Sequence, residues 1–113
     1  MYQMQPDVLA EITLSGERRT VAYSGYRPAH LIGDYLTTGV HTYIGKEILG
    51  MGETCKGYIT FISPEYYPHS IGVGDQLSFQ EGSRITGYAK ILEIYNPVLE
   101  RTGAGDKESG KEI

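Results

Sequence analysis

Apolar and polar residues alternate along several short stretches of the chain, and period two is the mark of a strand with one buried face. Val8, Ala10, Ile12 and Leu14 alternate with Leu9, Glu11 and Thr13. Ser15-Gly16-Glu17 then signals a turn, and Thr20 to Tyr23 is β-rich, so residues 7–24 read as a hairpin. Proline at position 28 pushes Arg27 towards extended backbone. Leu31, Ile32, Tyr35 and Leu36 suggest a strand with a bulge at Gly33-Asp34. Thr37-Thr38-Gly39 reads as a kink or turn before a β-rich stretch from Val40 to Ile44. Residues 45–53 hold three glycines and form a loop. Thr54 to Ile62 is a clear strand, with Cys55, Ile59 and Phe61 on one side. Ser63 to Asp75 reads as a long exposed loop. Gln76 to Gln80 is a short strand, Glu81-Gly82-Ser83 a tight turn, and Arg84 to Tyr95 the longest strand.

Six or seven short strands and no convincing helix predict an all-β sandwich or barrel. Closure into a barrel removes the exposed edges that invite aggregation. Gly87 and Ala89 are small residues inside the last strand, as a tightly curved wall needs. Residues 1–100 form a single domain on this reading, and 101–113, built of Gly, Lys, Glu and Ser, a flexible tail.

Composition narrows the partners. Ten Lys and Arg against fourteen Asp and Glu leave a formal charge of −4, which disfavours general affinity for nucleic acid. One cysteine, Cys55, allows no internal disulfide. The N-terminus lacks the basic-then-apolar pattern of a signal peptide. No apolar run approaches the ~18 residues of a membrane span. The expectation is a soluble, cytoplasmic protein without a membrane partner.

Two segments carry a specific resemblance. Tyr23-Ser-Gly-Tyr-Arg-Pro-Ala-His30, continuing to Thr37-Thr-Gly39, is similar to the aromatic, Gly-Tyr-Arg-Pro-Gln and downstream Thr-Gly of the third domain of translation elongation factor Tu and its relatives. Val73-Gly-Asp-Gln-Leu-Ser-Phe-Gln-Glu-Gly-Ser-Arg-Ile-Thr-Gly-Tyr-Ala89 resembles that domain's closing Leu-Arg-Phe, Arg-Glu-Gly-Gly-Arg signature. Order and spacing agree within each segment, and the resemblance covers about residues 7–96. The resemblance implies a small closed six-stranded antiparallel Greek-key barrel, standing alone without its GTPase.

In that family three polar positions contact the T stem of aminoacyl-tRNA. Thr38 and Glu81 match two of them; Ala29 replaces the Gln, and Gln80 stands where an Arg precedes the Glu. Retained tRNA contact is therefore the alternative expectation, and turn-forming roles for these residues are the plainer one. No nucleotide is expected. Gly39 to Lys46 has five residues between its glycines and Glu47 after its lysine, whereas a phosphate loop has four and then Ser or Thr.

Nor does the sequence point to catalysis. Cys55 has His30, His41 and His69 as candidate bases and Glu53 or Asp34 as orienters, but no spacing links them. The histidines lack metal-ligand spacing, so neither metal nor cofactor is expected. Recognition of a protein remains. Ten tyrosines exceed what so small a core holds, and exposed Tyr with acidic neighbours suits a binding patch. Tyr66, Tyr67 and His69 on the long loop, flanked by Glu65 and Asp75, are the candidate site. One partner suggested by analogy is an RNase-type toxin, of the contact-dependent inhibition or toxin–antitoxin kind, neutralised by this chain as an immunity protein. Another is a component of the translation machinery.

Overall fold

The computed structural model describes residues 5–15 and 20–101. Eight strands appear in chain order: β1 Val8–Leu14, β2 Ala22–Tyr23, β3 Ala29–Ile32, β4 Tyr35–Tyr43, β5 Ile48–Leu49, β6 Thr54–Phe61, β7 Gln76–Glu81 and β8 Arg84–Ile94. The only helical piece among the described residues is one 3-10 turn, Pro64–Tyr66. Six strands close into an antiparallel barrel in the order β1-β6-β4-β3-β7-β8, and among the described residues β2 pairs with β5. β3, β4 and β6, consecutive among the barrel strands, are neighbours, and β1 returns beside β6, which is a Greek key. No helix among the described residues is long and apolar enough to cross a membrane.

Alternation sets what the barrel encloses. Val8, Ala10, Ile12 and Leu14 of β1 are buried, as are Ile59 and Phe61 of β6, Leu77 and Phe79 of β7, and Ala89 and Ile91 of β8. The buried carboxylate of Asp7 locks the ends of the sheet together. It accepts the Phe61 amide at 2.7 Å and the Asn96 side-chain amide at 2.8 Å. A buried carboxylate needs such donors to offset its lost water.

Three local expectations change. Residues 7–24 are not a hairpin: β1 lies between β6 and β8, and β2 instead joins β5. Of the turn signal Ser15-Gly16-Glu17 that suggested it, Gly16 and Glu17 lie outside the described residues. Gly33-Asp34 is no bulge but a two-residue hairpin turn, with Ile32 paired to Tyr35 and Gly33 at φ 58°. Glycine at the first position of such a turn matches the twist of its strands. Thr37-Thr38-Gly39 makes no turn; it runs straight through β4.

The C-terminal boundary also moves. Ile71 bridges Glu100, and the Arg101 amide donates to the Ile71 carbonyl at 2.8 Å. The Arg101 guanidinium grips both carboxylate oxygens of Asp75, at 3.0 and 3.1 Å. Arg101 thus belongs to the barrel, while the tail from 102 onward lies outside the described residues. A forked, part-exposed pair of this kind contributes about 1 kcal/mol. Truncation after Glu100 should therefore lower the thermal midpoint by roughly 4–8 °C relative to truncation after Arg101. Equal midpoints for the two truncations, in calorimetry, would show the grip to be idle.

Candidate functional site

β4 outlasts its neighbour. Its pairing with β6 covers Gly39 to Tyr43, and a last bond runs from the Ile62 amide to the Thr38 carbonyl at 3.0 Å. At Ser63 the chain turns away through positive φ, 54°, into the Pro64–Tyr66 turn. Strand and turn diverge and leave a groove of about 460 Å³ between them. Tyr35, Leu36, Thr37 and Thr38 form one wall; Ile62, Ser63, Tyr66 and Tyr67 form the other. Its size is that of an ordinary ligand cleft, and its lining carries no formal charge.

The two tyrosines of the turn have opposite fates. Tyr66 is 72% exposed, whereas Tyr67 is only 6% exposed. The Tyr67 hydroxyl donates to the Ile62 carbonyl at 2.7 Å and meets the Thr37 hydroxyl at 2.9 Å. Its ring stands edge-on to Phe61 and lies tilted against Tyr35. Burial pushes its phenol above the usual tyrosine range. Tyr67 is therefore the fixed back of the groove and not an exposed contact. Tyr66, Tyr35, Leu36 and Ile62 supply the accessible apolar surface.

The other expected contacts separate from the groove. Asp75 is held by Arg101 and by the Gly72 amide at 2.8 Å. Partial desolvation works against its ionised form, but these donors outweigh it and hold the carboxyl below the usual aspartate range. His69 is exposed but tied to the C-terminal segment, its ring nitrogen 2.9 Å from the Glu100 carbonyl. Of the five residues expected to bind protein, Tyr66 and Tyr67 line the groove. Glu65, exposed and next to Tyr66, remains at its rim, and Asp75 and His69 lie outside its lining.

Thr38, from the rival tRNA surface, lines the same groove. Register places Thr38 beside Ala29, and Ala29 beside Gln80, so three resemblance positions make one row across β4, β3 and β7. Glu81 follows at the end of that row, but its carboxylate accepts the Tyr26 hydroxyl at 2.6 Å.

Sequence spacing missed the most unusual cluster. His30 and His41 point inward from β3 and β4, both fully buried, with their Nε2 atoms 2.9 Å apart. Phe79 packs against both rings, Phe61 against His30, and Tyr26 and Tyr43 against His41. Gly39 makes room: a Cβ there would press on the His30 ring at 2.8 Å. A bond between two ring nitrogens needs one donor and one acceptor, so at least one ring is neutral, and enclosure among apolar and aromatic rings disfavours a charge on the other. His30 Nδ1 has no well-aligned partner among the described residues. Desolvation pushes His30 down to about 4, although the carbonyls of Thr37 and Pro28 favour its charged form. Desolvation, then the proximity of His30, hold His41 well below the ordinary histidine range. Reading Gly33-Asp34 as a hairpin turn would have revealed the pair, because it sets both residues on the inward face.

Cys55 is half-buried against the core rather than enclosed, and burial pushes its thiol up. Glu53 is engaged with the Gly50 amide and Lys46, at 2.8 and 3.1 Å. Among the described residues, no group of three or more His, Cys, Asp and Glu is arranged to hold a metal ion. No protein-family model matches this chain, and no curated protein matches it either.

Proposed function

We propose that this chain is a non-catalytic protein-binding module, a barrel resembling an isolated third domain of elongation factor Tu, and that it acts in the cytoplasm as an immunity protein neutralising an RNase-type toxin. The groove between β4 and the Pro64–Tyr66 turn carries this reading. It offers exposed Tyr66, Tyr35, Leu36 and Ile62 over a rigid back made by Tyr67. Aromatic rings set beside a fixed pocket are the commonest anchors of protein interfaces. The formal charge of −4 suits a partner whose own substrate is a polyanion.

The test is co-expression with an RNase-type toxin domain, sought first in the reading frames adjoining this one. The wild-type chain should protect growth and block tRNA cleavage. Tyr66→Ala should weaken the complex about thirtyfold in calorimetry, the cost of losing a central anchor of about 2 kcal/mol. Ile62→Asp should abolish protection, since it puts a charge on the apolar wall. Protection by the Ile62→Asp chain at wild-type level would remove the groove from the interface.

A second reading draws on the row of Thr38, Ala29, Gln80 and Glu81. Here the chain is a translation-associated adaptor that contacts the T stem of aminoacyl-tRNA or a translation factor. Filter binding separates the two: loss of aminoacyl-tRNA on Thr38→Ala and Glu81→Ala, with Tyr66→Ala neutral, supports the adaptor.

A further inference from the structure

The groove has a backbone as well as a lining. From Gly39 to Tyr43 β4 pairs with β6, and on its other side Gly39 and His41 bond to Pro28, Tyr26 and Gly25, but from Tyr35 to Thr38 its strand partner among the described residues is β3 alone. The pairing phase shows which groups are open. Gly39 donates to Pro28 across to β3, while the Thr38 carbonyl accepts Ile62 on the other side. Backbone direction alternates along a strand, so Leu36 aims its amide and carbonyl the way Thr38 does, into the groove. The Ile62 carbonyl, which would continue the ladder, is already occupied by the Tyr67 and Thr37 hydroxyls. No described residue extends the ladder to Leu36 on that side.

We infer that the groove takes an extended segment of the partner protein as an added strand on the open edge of β4. An open ladder position beside side-chain pockets is the physical basis of strand addition: main-chain bonds hold the segment, and alternate side chains select it. Tyr35, Ile62 and Tyr66 would receive apolar side chains at every second position. The flanks set the charge. Asp34 and Glu65, both exposed, each sit next to a lining tyrosine, and no Lys or Arg lines the groove. The fitting segment is thus extended, apolar at alternate positions, and carries Lys or Arg at its ends. The inference rests on the groove being the binding site and adds how the partner is held.

The experiment selects a phage-displayed library of random dodecapeptides on the full-length chain and scans the best binder by N-methylation of each amide in turn. Expected are peptides with the alternating apolar pattern and basic ends, lost on Ile62→Asp. N-methylation should weaken binding at least tenfold at alternate amides and leave the intervening ones unaffected. On the protein side, Leu36→Pro removes only an outward amide, as edge strands tolerate. It should bind at least tenfold more weakly than Leu36→Ala. The methylation pattern decides the matter even where the proline variant misfolds. Groove-bound peptides indifferent to N-methylation would overturn strand addition and leave the groove standing. Selected peptides that bind Ile62→Asp undiminished, or a selection that enriches none, would overturn both.

Discussion

Taking the protein from pH 7 to pH 5 should cost it about 2 kcal/mol of stability through His30 alone, with His41 adding to the loss. Below its ordinary value of 6.5, each imidazole takes up a proton in the unfolded chain. In the folded chain His30 takes none until about pH 4. The unfolded state therefore binds more protons through this window, and stability falls as pH falls. The groups around the pair do not offset this. Tyr26 and Tyr43 are its titratable ring neighbours, and Phe61 and Phe79 are the other rings packed against it. Asp75, whose carboxyl is held below its usual range, loses its contribution only as pH falls further, through the aspartate range. Urea titrations at half-unit steps should show the slope between pH 6.5 and 4. The double variant His30→Leu/His41→Leu should flatten it, because both partners of the bond leave together. A wild-type chain equally stable at pH 7 and pH 5 would mean that the imidazoles are not enclosed as neutral partners.

Gly87→Ala should destabilise the barrel by about 3 kcal/mol, at the upper end for one added methyl in a packed interior. A Cβ on Gly87 would collide with the ring of Phe79 and with the backbone carbonyl of Thr13. The ring has little freedom, since Phe79 is fully buried and meets Tyr26, His30 and His41 edge-on or tilted. The carbonyl has less, because β1 is held by β6 on one side and β8 on the other. Trimming Phe79 to Leu in the same chain should recover only part of the loss over Phe79→Leu alone, the collision with Thr13 remaining. Full recovery would assign the strain to the ring and leave the strand free to shift. A Gly87→Ala midpoint within a degree of wild type would show that the wall gives way.

Strand identity was readable wherever one face is buried. The alternation around Ile12, around Ile59 and around Phe79 placed β1, β6 and β7 to within a residue or so, and the small residues Gly87 and Ala89 marked the curved wall of β8. Strand neighbours were not readable. Alternation says which face is buried but not beside which strand, so proximity in sequence points β1 to β2 although β6 and β8 hold it. The candidate groove was half legible for a related reason. Its position near Tyr66 followed from loop composition, but composition does not reveal which ring turns inward. Tyr67 does so because the Ile62 carbonyl, left over where β6 ends, takes its hydroxyl. Asp75 looked free because its partner, Arg101, stands at the start of a segment that reads as tail. The histidine pair was hidden by eleven residues of sequence that a hairpin folds away.

Because β1 lies between β6 and β8, the order in which the chain is made bears on when it can fold. As the chain leaves a ribosome, β1 finds one barrel neighbour only once residues 54–61 are out, and the other only at 87–94. Until then Val8, Ile12 and Leu14 have no barrel wall to enter, while the β3–β4 ribbon can already form on its own turn. Loop closure over such separations makes folding slow, in the range of milliseconds to seconds. The groove edge at Leu36 belongs to that early ribbon, so a nascent chain exposes it before the turn carrying Tyr66 exists to cover one side.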